Sequence, residues 1–311
     1  MRTTSHLSLT IRLFSVSLLL LTTTESIAQQ KPQFTQYMFN TLVINPAYAG
    51  AEEALSLTFI DRHQWVGIEN APTTQTLSAH TLVRKKNVGL GLSVINDKIG
   101  VYQNLNALAS FAYHIQTGKD SYLSMGLQAG FNNNRANYLS LQSSGGPIDP
   151  NLANSINETY FDFGFGLYFR SPRFHIGVSS PQFVPKQVAL DPAVNIQIGG
   201  THYFLFSKYR MSLSANWELE PSTLVKYIPT LPLSYDANLN FVYRRILTTG
   251  VSYRINESVD FLLRAQVTPQ LQFGYAYDHP IAQATRLSSG SHELMVNYLF
   301  KYIRKNVSSP R

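Results

Sequence analysis

No cysteine occurs in the 311 residues, which excludes disulfide staples, thiolate-ligated metal and a lipid-modified cysteine. Charge is also scarce: 14% of residues are charged against 44% hydrophobic and 12% aromatic, a balance that excludes a disordered chain. No run of eighteen apolar residues exists, so no internal helix can cross a bilayer. Enzyme signatures are missing as well. The eight histidines show no H-E-x-x-H spacing, no G-x-S-x-G elbow is present, and no glycine-rich phosphate loop opens a helix. Asp278-His279 with a loop serine such as Ser288 is the nearest approach to a hydrolase, but neighbouring strand residues point to opposite faces. Neither a cofactor nor a metal site is expected.

What is present begins with a leader. Arg2 and Arg12, the run LFSVSLLLL and the small-x-small pattern Ser26-Ile27-Ala28 read as a secretory signal peptide over residues 1–28. Its removal would take away Arg2, Arg12 and Glu25, lowering the formal charge from +7 to +6. For an exported chain with dispersed basic residues, nucleic acid is not an expected partner; anionic outer-membrane lipid or an acidic protein is.

From Leu55 onward the pattern has period two. Phe161, Phe163, Phe165, Leu167 and Phe169 share one face, while Tyr160, Asp162, Gly164, Gly166, Tyr168 and Arg170 share the other. Fourteen such segments are predicted, about 55–62, 74–84, 87–95, 104–116, 121–132, 158–170, 173–180, 193–206, 208–219, 233–244, 246–255, 258–267, 269–278 and 291–300. Connections after even segments are short (Lys85-Lys86, Ser171-Pro172, Ser207, Arg245), and those after odd ones are mostly long; Asn256-Glu257 is an exception. An even count, this rhythm and aromatics near strand ends (Tyr113, Phe131, Phe169, Trp217, Tyr243, Tyr277, Phe300) predict an all-β fold, a transmembrane antiparallel barrel. A soluble sandwich would share only the local alternation.

In a barrel the other face lines the lumen. Asp162, Arg170, Arg210, Glu218, Asp236, Arg254, Asp260, Arg264, Asp278 and Glu293 would point inward, and their mixed signs predict internal ion pairing and a filled interior. The longest external loop is expected at Asn133–Glu158, as a partner-binding loop or a structural cap.

The stretch Gln36–Gly50 is too apolar for a solvated tail. Phe34, Tyr37, Met38, Thr41 and Leu42 recur at helical spacing, and Asn45-Pro46 has an N-cap followed by proline at the first helical position. It is expected to plug the periplasmic mouth. The expected organisation is therefore 1–28 signal peptide, 29–54 plug, 55–302 barrel and 303–311 periplasmic tail, with both termini in the periplasm.

The segment QFTQYMFNTLVINPAYAG and the following DRHQWVGIENAPTTQTLSAH resemble the opening signature of the PorP/SprF family of type IX secretion outer-membrane proteins, and FDFGFGLYFRSPRFHIGVSS and SHELMVNYLF resemble its later blocks. Residue by residue, the resemblance falls on Gln33, Phe34, Gln36, Tyr37, Asn40, Asn45, Pro46, Ala47, Tyr48 and Gly50 in the plug, and on Arg62, Gln64, Trp65, Gly67, Pro72 and Thr73 in a first-loop motif. Departures are Thr41-Leu42, where similar proteins commonly have proline after the asparagine, and the basic tail beyond Phe300. The resemblance implies an outer-membrane location, no catalysis, and a role in docking secreted cargo or adhesin C-terminal domains for adhesion or gliding motility, alongside other type IX secretion components. The alternative is a fatty-acid-transporter-like barrel for hydrophobic compounds.

Overall fold

A computed structural model describes residues 32–300, except 53, 84–86, 139–154, 192–193, 230, 283–284 and 286. The strands are β1 (Leu55–His63), β2 (Thr73–Val83), β3 (Val88–Ile99), β4 (Tyr102–Gly118), β5 (Ser121–Ala136), β6 (Ile156–Arg170), β7 (Phe174–Ser180), β8 (Lys186–Asp191), β9 (Val194–Gly199), β10 (Tyr203–Tyr209), β11 (Met211–Ser212), β12 (Trp217–Tyr227), β13 (Ser234–Tyr243), β14 (Leu247–Arg254), β15 (Ser258–Gln266), β16 (Leu271–Pro280) and β17 (Ser291–Phe300). Each wall strand pairs antiparallel with its neighbour in sequence, and β1 pairs with β17 from Leu55↔Phe300 to His63↔His292. That seam closes the sheet. Because β10 and β11 are one strand interrupted at Arg210, and β8–β9 form a separate hairpin in the β7–β10 connection, the wall has fourteen strands.

The faces are inverted relative to a soluble protein. Phe59, Leu77, Leu92, Phe111, Phe163, Val251, Phe261 and Leu294 face outward and are exposed, Leu127 to 64%, while Ser78, Ser110, Gln128, Asn240 and Thr248 are buried on the inner face. Apolar side chains exposed around the whole wall fit a hydrocarbon surround and exclude the soluble sandwich. Tyr113, Phe131, Trp217 and Phe300 are exposed on that face; Phe169, Tyr243 and Tyr277 are half-buried.

Two predicted strands are misplaced. The segment 193–206 divides between β9 and β10, and 208–219 is not one strand: the turn lies at 213–216, not at Ser207, and β12 continues to Tyr227. Pro221 is the physical reason. It sits inside β12 opposite Leu239, has no N–H for the β10 side, and the ladder lapses there between Lys208↔Ser222 and Met211↔Leu219. A second correction is the connection after β3, which is only Gly100-Val101 because β3 and β4 extend further than the alternation suggested. Strands β5 and β6 likewise run to Ala136 and from Ile156, so the two ends of the expected Asn133–Glu158 loop are strand; 139–154 lie outside the described residues, as do the leader and the tail.

Inside the wall lies the chain that precedes it. Residues Phe34 to Ala51 are mostly buried, with short 3-10 turns at Thr41–Val43 and Pro46–Tyr48. Asn45 caps the second turn, its side-chain oxygen accepting from the Ala47 N–H at 2.9 Å. The segment is not confined to one mouth. Gln33 reaches Glu257 in the β14–β15 connection, on the long-loop side, whereas Gly50 lies against Gly89 near the start of β3, on the short-turn side. It therefore descends the whole lumen before β1 climbs back.

Strand glycines make room for it. A methyl group at Gly89 would sit 1.8 Å from the Ala49 carbonyl oxygen, and one at Gly126 2.2 Å from the Ala47 nitrogen. We expect Gly126→Val to cost about 1–3 kcal/mol of stability through overpacking and to raise protease sensitivity of residues 40–50, while the outward Leu127→Val is silent. Equal denaturation midpoints for the two variants would contradict this packing.

Candidate functional site

Among the described residues Arg62 is the largest fully buried side chain, at 1% exposure. It closes the predicted 55–62 segment and belongs to β1, apart from the loop residues of its motif, and even-numbered residues of β1 face the lumen. Register sets Glu293 of β17 directly opposite, and β16 contributes Asp278. The guanidinium meets Asp278 Oδ2 at 2.7 Å and Glu293 Oε2 at 3.1 Å.

The N-terminal segment completes this cluster. Glu293 accepts the backbone N–H of Thr35 and of Gln36, each at 2.9 Å, through its two oxygens. The Thr35 hydroxyl accepts from Arg62 at 2.7 Å and donates to Asp278 at 2.8 Å. Gln36 adds a bond from Nε2 to the Glu293 carbonyl at 3.2 Å. Beside it, Arg254 of β14 pairs with Asp236 at 3.0 Å and donates to Gln33 at 3.3 Å. Charged hydrogen bonds in a buried setting are the strong kind, and those made by Gln33, Thr35 and Gln36 tie the segment to the wall.

Further down, the wall again supplies partners. Ser78 donates to Asn40 Oδ1 at 2.9 Å, Asn45 donates to the Leu167 carbonyl at 3.0 Å, and Ser179 donates to the Ile44 carbonyl at 2.6 Å. His114, braced by Ser124, lies 2.8 Å from the Ala49 carbonyl, and the Gly50 N–H donates to His80 at 3.2 Å. Apolar contacts fill the middle: Tyr37 meets Phe206 edge-on, Tyr48 meets Tyr168 edge-on, and the Arg264 guanidinium covers the Phe39 ring at 4.2 Å. Near the long-loop end a cavity of about 90 Å³ remains, bordered by Phe34, Tyr37, Ile95, Phe204 and Leu224.

The structure thus gathers Gln33, Phe34, Gln36, Tyr37, Asn40, Asn45, Pro46, Ala47, Tyr48 and Gly50 within the lumen together with Arg62. The remaining motif residues lie apart. Gln64, Trp65, Gly67 and Pro72 belong to the β1–β2 loop, and Thr73 opens β2. Gln64 N–H donates to the Pro72 carbonyl at 2.9 Å, and Trp65 N–H to the Ser291 hydroxyl at 3.1 Å. Trp65 and Gly67 adopt positive φ, 48° and 95°, which folds this loop onto residues 289–291. Trp65 is half-buried in that turn rather than lipid-facing on a strand. Asp278 points inward to Arg62 while His279 is exposed outside, so those two do not form a catalytic pair.

Missed in the sequence were Arg62 as an inward-facing charge, His80 and His114 as partners of the segment's backbone, and the glycines Gly89, Gly126, Gly166 and Gly177. A signal existed for the glycines: a glycine inside a strand marks a close approach of another backbone. Removing one partner of a buried ion cluster costs about 3–5 kcal/mol, so Arg62→Met is expected to lower the unfolding midpoint sharply. Adding Glu293→Gln to Arg62→Met should recover part of that loss, since fewer charges are left unpaired. Unchanged midpoints in a denaturant series would show the cluster to be energetically idle.

Comparison with solved structures finds similar barrels at low identity. The CymD monoaromatic hydrocarbon channel is 14% identical over 89% of this chain and 95% of its own, with a TM-score of 0.49. The toluene transporter TodX of P. putida is 11% identical over 83% and 93%, at 0.45, and Omp33 of Acinetobacter baumannii is 10% identical over 80% and 98%, also at 0.45. No curated protein matches. The model of the type IX secretion system membrane protein family PorP/SprF matches residues 26–298, nearly the whole wall together with the segment inside it, and the chain belongs to that family.

Proposed function

We propose that this barrel is a docking or anchoring platform in the outer membrane for secreted surface proteins, adhesins and gliding components among them, and not a conduit. The observation that carries the reading is the occupied lumen: a segment tied to the wall by Arg62, Asp278, Glu293, Ser78, Ser179 and His114 fills its length. Beside the segment, near its long-loop end, lies a cavity of about 90 Å³ bordered by Phe34, Tyr37 and Phe204.

In this reading the chain is exported by a leader cleaved after Ala28, and the segment from Gln33 to Gly50 is the plug. The short turns face the periplasm, where they meet other secretion components; the long loops face out, where the C-terminal domain of a cargo protein binds. Outer-membrane lipid surrounds the apolar band. The first-loop motif, bonded to residues 289–291, makes the β1–β2 and β16–β17 loops one connected surface.

Two measurements test this. Cells lacking the barrel should release into the medium surface proteins that wild-type cells retain, and the purified barrel in liposomes should exclude small solutes until Gln36–Gly50 is deleted. Unchanged retention, with bound hydrophobic compounds recovered from the purified barrel, would favour transport instead; equal permeability of intact and deleted barrels would show that the segment is no plug.

A further inference from the structure

The outward face of β3–β6 changes its chemistry in steps toward the long-loop mouth. Val94, Ala107, Phe131 and Phe161 form one cross-strand row, in which the two phenylalanine rings meet edge-on at 5.7 Å. Two residues farther along each strand the row is Asn96, Leu105, Asn133 and Thr159, and two farther again it is Lys98, Gln103, Arg135 and Asn157. Strand alternation turns all three rows away from the lumen, and the four side chains of the last row are exposed. The face therefore runs from apolar, through amide and hydroxyl, to cationic. No acidic side chain stands in these rows.

Spacing sets where each row lies in the membrane. Rows two residues apart are about 7 Å apart along a strand, so the cationic row stands about 13 Å beyond the rings, or about 10 Å along the membrane normal at the usual strand tilt. The polar layer on each side of a bilayer is only about 5–8 Å thick. A head that reaches both polar rows is thus deeper than a glycerol phosphate, as a sugar head is. The two rows are also bonded into one lattice. Gln103 Nε2 donates to Asn96 Oδ1 at 2.8 Å, and Asn133 Nδ2 donates to Asn157 Oδ1 at 3.1 Å and to Thr159 Oγ1 at 2.8 Å. Lys98, Gln103, Arg135 and Asn157 border a single groove. The apolar row on the same strands, directly beneath, favours a head joined to acyl chains over a soluble anion.

We infer that this face binds a phosphorylated, sugar-headed lipid of the outer leaflet, the lipopolysaccharide class. Lys98 and Arg135 hold phosphate, the amides of Asn96, Gln103, Asn133 and Asn157 meet sugar hydroxyls, and acyl chains lie on Phe131 and Phe161. Such a ligand gives a use to the length of β4, β5 and β6, which at 17, 16 and 15 residues exceed the roughly 9–11 that crossing requires. The inference rests on the outward long loops proposed above and adds to them a specific lipid.

The test titrates the purified barrel in detergent with bisphosphorylated lipid A, read by native mass spectrometry. The double variant Lys98→Gln/Arg135→Gln is compared with Lys119→Gln/Arg173→Gln in the short turns; all four side chains are exposed, so both variants should fold. Each basic side chain near an anionic lipid surface contributes about fivefold, so the first variant is expected to bind lipid A about twentyfold more weakly and the second unchanged. Dephosphorylated lipid A and phosphatidylglycerol should bind the parent barrel more weakly than lipid A does. Equal affinity of the two double variants overturns the inference, as does phosphatidylglycerol binding as tightly as lipid A. Competition by glucosamine phosphate at the same concentration as lipid A overturns the lipid as the source of the phosphate. Sidedness is read separately. The chain has no cysteine, so Leu287→Cys, at a position 93% exposed in the β16–β17 loop, is the sole thiol for a membrane-impermeant maleimide. Labelling on intact cells upholds outward long loops whatever the lipid titration gives; labelling only after permeabilisation overturns the sidedness, and the inference with it.

Discussion

The Glu293 carboxylate is the group on which the arrangement of wall and segment depends. It is fully buried, and a buried carboxylate without partners would cost several kcal/mol. Arg62 supplies the opposite charge, yet the guanidinium alone does not use the lone pairs of both oxygens. Two backbone N–H groups, from Thr35 and Gln36, do. A turn-like stretch of chain within the lumen has unpaired amides of its own, so each side satisfies what the other lacks. The wall needs the segment as much as the segment needs the wall.

The same complementarity extends downward in a different chemistry. At the long-loop end it is ionic; at mid-depth it is aromatic, around Tyr37, Phe206 and Tyr168; toward the short turns it is steric and carbonyl-based, with glycines admitting backbone and histidines and serines meeting carbonyls. A side chain cannot approach a wall as closely as a backbone can, which is why Gly89 and Gly126 face Ala49 and Ala47 there. Small residues on both sides convert a gap into a contact.

Much of this was legible in the sequence. Period-two alternation identified the wall because the inner and outer environments differ so strongly that nearly every strand registers it, and mixed inward charges implied pairing. What stayed hidden had specific causes. Pro221 concealed the outer half of β12, since proline in a strand ordinarily signals an end. Arg62, at the end of the predicted first strand, was grouped with the loop motif that follows it, so its inward direction was not read. The depth of the N-terminal segment was invisible because its partners, Glu257, Glu293, Ser179 and His114, are distant in sequence and each is unremarkable alone.

Where the lock sits bears on how the barrel closes. Arg62 and Glu293 are opposite each other across β1 and β17, the first and last strands, and this is the pair that seals the cylinder. Thr35 and Gln36 bind at that seam. Before closure, the seam edges carry unpaired backbone groups and a charge on each side; once β1 meets β17, the ion pair forms and the amides of the segment find Glu293. Closure and capture of the segment are therefore linked equilibria: the free energy by which the closed seam favours the bound segment equals that by which the bound segment favours closure. A segment anchored at the seam is thus held by the two edges whose pairing makes the wall continuous.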